Sequence, residues 1–432
     1  MAEADGLPKE VAVEKETADF RGLPLVTIDG PDSKDLDDAV YCERRENGHF
    51  MLGVYIADVS RYVKKGMLLD EEAYRRGNSV YLADRVIPML PFQLSNDLCS
   101  LNAGSDRYAM ACLMDVSPEG KVTAERITPA VINVGRRCNY PEINKAFEEG
   151  LAPDDLKPFL PMLEALQKLT RILGTEVQVP DEPKPADLQK LLSSVKGQDI
   201  ASAVEVMTLR SLSQACYSTE NEGHYGIASE CYTHFTSPIR RYSDLMVHRL
   251  IRQALFEKPK KSVLARQTAF LEKACAHCSE TEQEAVETER DVNELKMTEY
   301  MEPFVGEPFD GVVTGVTRFG IFVGLDNGVE GLVRLDMLDE EFIYQEDTMT
   351  LRGALSGETY SLGMPVRVTL VRADKTKREV DFALGELHSP LSLEKKIRKS
   401  GSSRSSAKKK GKNGGGKAAP RTKKGKGKKG RR

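Results

Sequence analysis

The stretch VTIDGPDSKDLDDAV, residues 26–40, places five aspartates within ten residues. Apolar residues flank it, which predicts one strand that delivers Asp29 and a second strand that starts near Ala39. Carboxylates packed this closely repel one another unless a divalent cation lies between them. Hard oxygen ligands suit Mg²⁺ or Mn²⁺, which keep positions open for water and phosphate. The stretch therefore predicts a metal site suited to phosphoryl-transfer or phosphodiester chemistry.

Two other interpretations apply to acidic stretches in general. One is a solvated turn with no ligand, which acid-rich loops often form. The other is a calcium-binding EF-hand loop, which requires Gly at its sixth position and Glu at its twelfth. Counted from Asp29, those positions hold Lys34 and Val40, so an EF-hand is excluded.

Alternating apolar residues predict a β-rich section early in the chain, with a hairpin turn at Asn47-Gly48. The predicted strands are Leu23–Ile28, Ala39–Glu43, Phe50–Ala57, Ala109–Val116 and Val122–Val134. Helical spacing of apolar residues follows. The predicted helices are Leu156–Leu173, Ala186–Val195, Ile200–Tyr217, Leu245–Phe256 and Leu264–Met297. Together they predict an α+β domain over residues 23–300, preceded by a polar linker over residues 1–22.

Residues 306–387 change to short strands punctuated by glycine, beginning with GEPFDGVVTGV at residues 306–316. This pattern predicts a small β-barrel.

The net charge of −4 conceals a segregation along the chain. Lys395–Arg432 contains 18 Lys and Arg and no acidic residue, whereas residues 1–394 carry a net charge of −22. A self-repelling segment rich in Gly, Ser and Lys cannot build a core, so we expect residues 388–432 to be a disordered basic tail. Such an arm binds phosphates with little sequence preference. Nucleic acid is the favoured partner, and an acidic protein or a membrane surface is the alternative.

The sequence shows no run long and apolar enough to span a membrane, and its N-terminus lacks the layout of a signal peptide. Eight scattered cysteines indicate reduced thiols and a cytoplasmic protein. Cys275 and Cys278 form a CxxC pair around His277. Because no second ligand pair accompanies them, an ordinary helix face is favoured over a zinc site.

The segment Ser237-Pro238-Ile239-Arg240-Arg241 predicts a helix start, since Ser is a favoured N-cap and Pro a favoured first helical residue. Arg240 and Arg241 would then lie in the first turn, beside free backbone N–H groups that bind anions such as phosphate. A plain cap with solvated arginines is the alternative.

Several motifs occur in the order found in one enzyme family. They are TIDGPDSKDLDDA at residues 27–39, IADVS at 56–60, IPMLP at 87–91, LSNDLCSL at 94–101 and HFTSPIRRY at 234–242. This set resembles the RNB-domain exoribonucleases of the ribonuclease II/ribonuclease R family, and the ribonuclease R branch is the closer one. The barrel resembles the S1-type OB fold of RNA-binding proteins.

The resemblance implies a monomeric 3′→5′ exoribonuclease that hydrolyses single-stranded RNA processively to nucleoside 5′-monophosphates, using Mg²⁺ or alternatively Mn²⁺. Its implied metal ligands are Asp29, Asp35, Asp37 and Asp38, with Asp37 the most sensitive carboxylate. Arg240 is implied to steady the scissile phosphate. The basic tail would add contacts to structured RNA or the ribosome.

The resemblance also implies residues that contact RNA. Tyr81 would clamp bases along the RNA path, and Tyr140 would stack on the 3′-terminal nucleotide. In the barrel, Phe319 and Phe322 would stack bases, because every base has a π-face. Strand neighbours at odd spacing face opposite sides, so we expect one of these two phenylalanines to be core. Further contacts to phosphate would come from Arg241, Arg318 and Arg334.

The sequence departs from the family between Tyr140 and Arg240, where a block of the RNB domain has no counterpart and the chain is shortened near residues 174–180. The family's N-terminal cold-shock domains also have no match. The missing block leaves open an RNA-binding protein with impaired or no catalysis. A nuclease that acts on DNA is a further alternative, because no feature of the motifs selects the 2′-OH of the sugar.

Overall fold

The computed structural model describes residues 2–14, 16–173, 214–221, 223–227, 229–257, 261–346 and 348–386. The chain forms two compact units. Among the described residues, the first unit contains those up to Asn293, and the second contains those from Glu294 onward. In the described part of the chain, no helix is both long and apolar enough to cross a membrane.

The first unit is a mixture of strands and helices. Its strands are β1 (Ala18–Asp19), β2 (Leu25–Asp29), β3 (Asp38–Arg44), β4 (Phe50–Ala57), β5 (Val80–Tyr81), β6 (Val86–Ile87), β7 (Asp106–Val116) and β8 (Val122–Asn139). Its helices are α1 (Ala2–Asp5), α2 (Leu68–Arg76), α3 (Tyr140–Glu148), α4 (Leu160–Leu173) and α5 (Tyr242–Arg252), and α6 (Lys261–Met301) begins in it. Short 3₁₀ and π turns lie at Val59–Arg61, Leu94–Leu98, Lys157–Phe159, Tyr225–Ile227 and Gln253–Glu257.

The main sheet has the strand order β1-β8-β2-β3-β4-β7. The long strand β8 pairs antiparallel with β7 and also parallel with β2, so the sheet curls back on itself. This pairing sets Asp29 opposite Asn139. The pairing of β3 with β4 sets Asp38 opposite Ile56. The sheet therefore brings the ends of β2, β3 and β8 together.

The hairpin predicted at Asn47-Gly48 is present, and β4 has the predicted bounds. Gly48 adopts a φ of 86°, in the left-handed region that favours glycine. Strand β8 runs five residues past its predicted end at Val134 and ends at Asn139. The added residues are part of the strand because they pair with β2.

Two buried clusters stabilise this unit on opposite sides of the sheet. One cluster joins sheet residues such as Tyr55 to α2, α5 and α6. The other joins Val26 to residues of α4 such as Leu163. At the end of α2, Gly77 approaches α6 so closely that a Cβ would lie 2.0 Å from Thr281 Oγ1. Only glycine fits at this contact.

The prediction that residues 1–22 form a polar linker is wrong for the described part of that segment. Ala4 is buried in the main core, and Glu3 accepts hydrogen bonds from the backbone N–H groups of Leu68 and Leu69 at the start of α2. Strand β1 pairs with Ala130 and Val131 of β8. Glu3 thus caps a helix, and Ala18 and Asp19 form an edge strand. A search for patterns of apolar residues does not detect either role.

The other helix predictions have different outcomes. The predicted helix Leu156–Leu173 forms as the 3₁₀ turn Lys157–Phe159 followed by α4. Helix α6 contains the whole of predicted Leu264–Met297. Ala186–Val195 lies outside the described residues, as does most of Ile200–Tyr217, and the described end of the latter, residues 214–217, is not helical.

The second unit contains the predicted barrel. Its strands are β9 (Pro308–Thr317), β10 (Gly320–Leu325), β11 (Glu330–Arg334), β12 (Phe342–Gln345), β13 (Thr350–Gly353), β14 (Thr359–Tyr360), β15 (Pro365–Asp374) and β16 (Glu379–Leu384). The barrel closes in the order β10-β11-β16-β15-β9, and β12-β13-β14 form a small separate sheet. The α+β class and the barrel are thus confirmed.

Candidate active site

The four implied metal ligands lie on one loop and the two strands that it joins. Asp29 is the last residue of β2, and Asp38 is the first residue of β3. Asp35 and Asp37 lie in the connecting segment. The antiparallel pairing of β2 with β3 therefore gathers all four carboxylates at one end of the sheet.

Asp37 is the most deeply buried of these aspartates, with 4% of its surface exposed. Its Oδ1 accepts a hydrogen bond from the backbone N–H of Ile239 at 3.0 Å. Its Oδ2 lies 3.4 Å from Nε of Arg240 and has no hydrogen-bond partner in the described structure. Burial raises the pKa of Asp37 well above its usual range, and the Ile239 bond and Arg240 offset only part of this rise.

The neighbouring carboxylates also interact with one another. Burial, followed by the charge of Asp38, raises the pKa of Asp29 to about 6. Withdrawal from water raises the pKa of Asp38 itself, and Arg240 lowers it in part. Asp35 accepts a short hydrogen bond from the hydroxyl of Tyr81. The site thus concentrates negative charge that the protein neutralises only in part.

The residues present fit a divalent cation in their chemistry. Carboxylate oxygens are the ligands that Mg²⁺ prefers, and Oδ2 of Asp37 accepts no hydrogen bond from the described residues. Among the described residues, no three His, Cys, Asp or Glu side chains already converge at metal-binding positions. A Mg²⁺ site commonly uses only one or two carboxylates, with water and substrate phosphate as the other ligands. The aspartate loop is therefore suited to an ion of that kind.

The prediction that Ser237 caps a helix is wrong. The backbone N–H groups of Arg240 and Arg241 both donate to the Ser237 carbonyl, which forms a tight turn. Arg241 is extended, with φ −131° and ψ 125°, and helix α5 begins only at Tyr242. The two arginines precede the helix instead of lying in its first turn.

The turn has this shape because two aspartates take its backbone N–H groups. Asp37 accepts from Ile239, and the fully buried Asp244 accepts from Ser237 at 2.8 Å. Asp244 also accepts from Nη2 of Arg241 at 2.8 Å, so Arg241 is turned into the protein. Arg240 remains 42% exposed and lies beside Asp37. The anion at this turn is thus a carboxylate of the chain itself, and Arg240 is the arginine left available to a substrate.

The two tyrosines implied to contact RNA lie near the aspartate loop. Tyr81 donates to Asp35, and its backbone N–H donates to Glu289 at 2.7 Å. Tyr140 follows Asn139, the residue paired with Asp29, and is 59% exposed at the start of α3. Tyr81 thus contacts the aspartate loop directly, and Tyr140 is next to the residue that pairs with Asp29.

Several residues that support the site were not predicted. Ser100 accepts from the backbone N–H of Leu36 at 3.0 Å and donates to the carbonyl of Lys34 at 2.8 Å. Arg137 donates to the carbonyls of Gly30 and Pro31. These bonds fix both halves of the aspartate loop. Ser100 lies in the motif LSNDLCSL, so the sequence did contain a signal for it.

In the barrel, the expectation that one of the two phenylalanines is core is wrong. Phe319 lies in the turn before β10 and is 56% exposed. Phe322 is half-buried on the outward face of β10, and its ring centroid lies 6.4 Å from that of Phe319. Arg318 is exposed, whereas Arg334 pairs with Asp336 at 3.0 Å. The alternation of side chains along a strand does not apply to this pair, because Phe319 lies in the turn before β10.

The remaining predictions concern the cysteines, the basic tail and the shortened region. Cys275 and Cys278 lie on α6 and are free thiols, as are the other six cysteines. The basic tail and the shortened region near residues 174–180 lie outside the described residues.

Comparison with known proteins agrees with the motifs. The RNB domain profile matches residues 17–178 and 161–257, and the profile of the S1 RNA binding domain matches residues 302–385. The chain is 36% identical to ribonuclease R 1 of Lactococcus lactis subsp. lactis over 474 residues, covering 88% of this chain and 58% of the relative. It is 35% identical to ribonuclease R of Thermotoga maritima over 481 residues, covering 89% of this chain and 68% of the relative.

The fold also matches a solved structure, that of Mycoplasma genitalium RNase R in complex with ribose methylated single-stranded RNA. The TM-score is 0.80 at 26% identity, with 89% of this chain and 74% of that chain covered.

The lengths of these matches bear on the missing block. The 474 aligned residues exceed the matched 88% of this 432-residue chain by roughly ninety, so the relative has residues without a counterpart here. The chain spans a little over half the length of that relative. The profiles and relatives together nevertheless show that the chain belongs to the RNB-domain family, in its ribonuclease R branch.

Proposed function

We propose that this protein is a divalent-metal-dependent 3′→5′ exoribonuclease that hydrolyses single-stranded RNA processively to nucleoside 5′-monophosphates. The observation that carries the proposal is the pairing of Arg240 with the buried Asp37 inside a cluster of four carboxylates. This arrangement places a partly exposed guanidinium group beside a carboxylate oxygen that accepts no hydrogen bond from the described residues. A phosphodiester with an attacking water needs both.

The position of each site residue suggests its role in the proposed reaction. Arg240 donates to non-bridging phosphate oxygens and stabilises the charge that develops on them. Oδ2 of Asp37 is free to accept a proton or orient water. Tyr140 stacks on the 3′-terminal base, and Tyr81 holds the chain beside Asp35. When bound by Asp29, Asp35, Asp37 and Asp38, Mg²⁺ supplies charge that polarises the phosphate and lowers the pKa of water.

Single-stranded RNA is the substrate best supported. The Mycoplasma genitalium relative binds a single-stranded RNA, and the barrel carries an S1 profile with Phe319 exposed. The tail would add affinity for structured RNA or the ribosome through its 18 positive charges. A cytoplasmic location agrees with the free thiols of the described residues.

The test uses purified full-length protein and a 5′-labelled single-stranded RNA. A 3′→5′ exonuclease progressively shortens the labelled RNA with Mg²⁺ and leaves the RNA intact with EDTA. Chromatography of the released material should give nucleoside 5′-monophosphates. If RNA is bound but never shortened at any Mg²⁺ or Mn²⁺ concentration, the protein is an RNA-binding protein and the proposal is wrong.

A further inference from the structure

The motif LSNDLCSL, residues 94–101, has no part in the mechanism proposed above. Its residues Leu94–Leu98 form a π turn, and its last two residues, Ser100 and Leu101, have no exposed surface. The motif is distant from the aspartate loop in sequence, yet these last two residues make three hydrogen bonds to that loop. A buried motif that grips the loop of the implied metal ligands calls for a functional explanation.

Ser100 holds the backbone on both sides of Asp35. Its hydroxyl donates to the carbonyl of Lys34 at 2.8 Å and accepts from the backbone N–H of Leu36 at 3.0 Å. The backbone N–H of Leu101 donates to the carbonyl of Leu36 at 3.0 Å. One buried hydroxyl group therefore joins the residue before Asp35 to the residue after it, which fixes the direction in which the Asp35 side chain leaves the backbone.

Asp35 differs in this respect from the other three implied metal ligands. Asp29 ends β2 and Asp38 begins β3, so strand pairing holds both of them. The carbonyl of Asp37 accepts from the backbone N–H of Ala57 in β4 at 2.8 Å. Asp35 lies in neither strand, and the backbone groups of its two neighbours make their described hydrogen bonds with the motif. The position of Asp35 thus depends on the motif more than that of the other three carboxylates.

Arg107 holds Ser100 in turn. This arginine of β7 is 9% exposed, and its Nε donates to the carbonyl of Ser100 at 2.9 Å. Its Nη2 donates at 2.9 Å to Asp97, which belongs to the same motif. The planar guanidinium group therefore joins two points of the motif to the sheet, so that Ser100 contacts the loop from a fixed position.

We propose that Ser100 is a positioning residue for the divalent metal and acts through Asp35. This inference rests on the proposed function, because it concerns the metal site of that proposal. Ser100 has no exposed surface, so it cannot contact RNA itself. Its hydroxyl holds the loop in the binding conformation before the metal arrives, and the entropy of ordering the loop is then not lost when the metal binds.

Titration of the full-length protein with Mn²⁺ alone, followed by electron paramagnetic resonance, measures metal affinity without RNA or cleavage. Ser100→Ala removes the hydroxyl and should weaken Mn²⁺ binding by about tenfold or more, as the loss of a group that holds a metal ligand usually does. The matched control is Ser95→Ala. Ser95 is a buried serine of the same motif, and its hydroxyl donates to Asn96 instead of the loop. This control should bind Mn²⁺ as the wild type does.

The outcomes separate this inference from the proposed function. Equal Mn²⁺ affinity in Ser100→Ala and the wild type would overturn the role of Ser100 and leave the nuclease proposal intact. An equal loss of affinity in Ser95→Ala would show a general effect of lost stability, and it would also overturn the role. If the wild type binds no Mn²⁺ at millimolar concentration, both this inference and the metal dependence of the proposed function are wrong.

A double-mutant cycle shows whether Ser100 acts through Asp35. Single-turnover cleavage of RNA is measured for Ser100→Ala, Asp35→Asn and the double variant at one Mn²⁺ concentration. Ser100→Ala should slow the wild type by about tenfold or more but should slow Asp35→Asn by less than about twofold. A full further loss in the double variant would mean that Ser100 supports another part of the protein, and the proposal would fail.

Hydrogen–deuterium exchange of the wild-type protein covers a variant that fails to fold. In EDTA, the backbone N–H of Leu36 should already be protected from exchange, because it donates to Ser100. Addition of Mg²⁺ should change this protection little. Fast exchange of residues 33–38 in EDTA that slows only with Mg²⁺ would show that the metal orders the loop, and it would overturn the role of Ser100.

Discussion

Ile239 donates its backbone N–H to Oδ1 of Asp37 at 3.0 Å, across 202 residues of sequence. This bond ties the aspartate loop to the turn that presents Arg240. It also commits one oxygen of Asp37 to the protein, which leaves Oδ2 as the atom that faces Arg240. Two motifs that are distant in sequence therefore form one site.

Asp37→Asn should separate stability from catalysis. Asparagine is nearly the same size and retains an acceptor for the Ile239 N–H. Because burial raises the pKa of Asp37, loss of the charge should leave the free energy of unfolding unchanged or raise it by about 1 kcal/mol. Single-turnover cleavage should fall by roughly 10²-fold or more, as for other electrostatic groups in active sites, while RNA affinity persists.

The matched control is Asp32→Asn, which changes an exposed aspartate of the same loop. This variant should cleave RNA at the wild-type rate. Wild-type cleavage by Asp37→Asn would show that Asp37 has no catalytic role.

Arg240→Ala should slow cleavage much more than it weakens RNA binding, because the contact to phosphate is proposed to strengthen at the transition state. Arg240→Lys should restore little activity, since lysine lacks the bidentate fork. Comparison of the single-turnover rate with the dissociation constant checks both. Arg75→Ala, at an exposed arginine of α2, is the control. Equal losses in rate and affinity would indicate a simple phosphate clamp.

Metal affinity should depend on pH through Asp29. A divalent metal would bind the ionised carboxylate, and burial together with Asp38 raises the pKa of Asp29 to about 6. Affinity for Mg²⁺ should therefore rise between about pH 5 and pH 7 and level off above that range. Without metal, the folded protein holds a proton on Asp29 between about pH 4 and pH 6 that the unfolded chain has released. Asp29 should thus make the metal-free protein more stable as the pH falls through this window.

Asp29→Asn tests this assignment, because it removes the titrating group. Calorimetric titration of Mg²⁺ at several pH values, together with thermal melts in EDTA, should show a flatter pH dependence in the variant. An identical pH profile in both proteins would mean that another group controls metal binding.

Phe319→Ala should weaken binding of single-stranded RNA by about 1–3 kcal/mol, the usual value of one stacked base. Its ring is 56% exposed, so the melting temperature should not change. The control is Ile343→Ala in the second unit, where the side chain is 58% exposed. Fluorescence anisotropy with a labelled RNA measures both variants, and equal affinities would remove Phe319 from the RNA surface.

Deletion of Lys395–Arg432 removes 18 positive charges. Affinity for long or structured RNA should fall, and the plot of log affinity against log salt should become shallower. Turnover on a short saturating single strand should change little, because the aspartates and Arg240 remain. An unchanged salt slope would show that the tail does not bind RNA, and an acidic protein would then be its expected partner.

Much of the fold follows from local patterns. The alternation over Phe50–Ala57 and the Asn47-Gly48 turn specify the β3–β4 hairpin, because strand period and turn chemistry act within a few residues. The barrel is predictable for the same reason. The sequence also identifies the main residues of the site. The aspartate cluster and the arginine motif are both visible in the sequence, and the structure brings them together.

Local patterns do not show which distant side chains accept hydrogen bonds from a given turn or helix start. Ser237 has the features of an N-cap, yet Asp37 and Asp244 take the N–H groups of that turn and move the helix start to Tyr242. Glu3 looks like a linker residue but caps α2. The Asp37–Ile239 and Glu3–Leu69 bonds join residues that are far apart in sequence, whereas Asp244 lies in the first turn of α5.

The 202-residue separation of Asp37 and Ile239 also sets an order of events during synthesis. A ribosome completes the aspartate loop long before it makes the turn that carries Arg240. Until that turn has emerged, the nascent chain has no Ile239 N–H for Asp37 and no arginine for a phosphate. If the proposed activity holds, the growing polypeptide cannot cut its own messenger RNA until most of the first unit has been made.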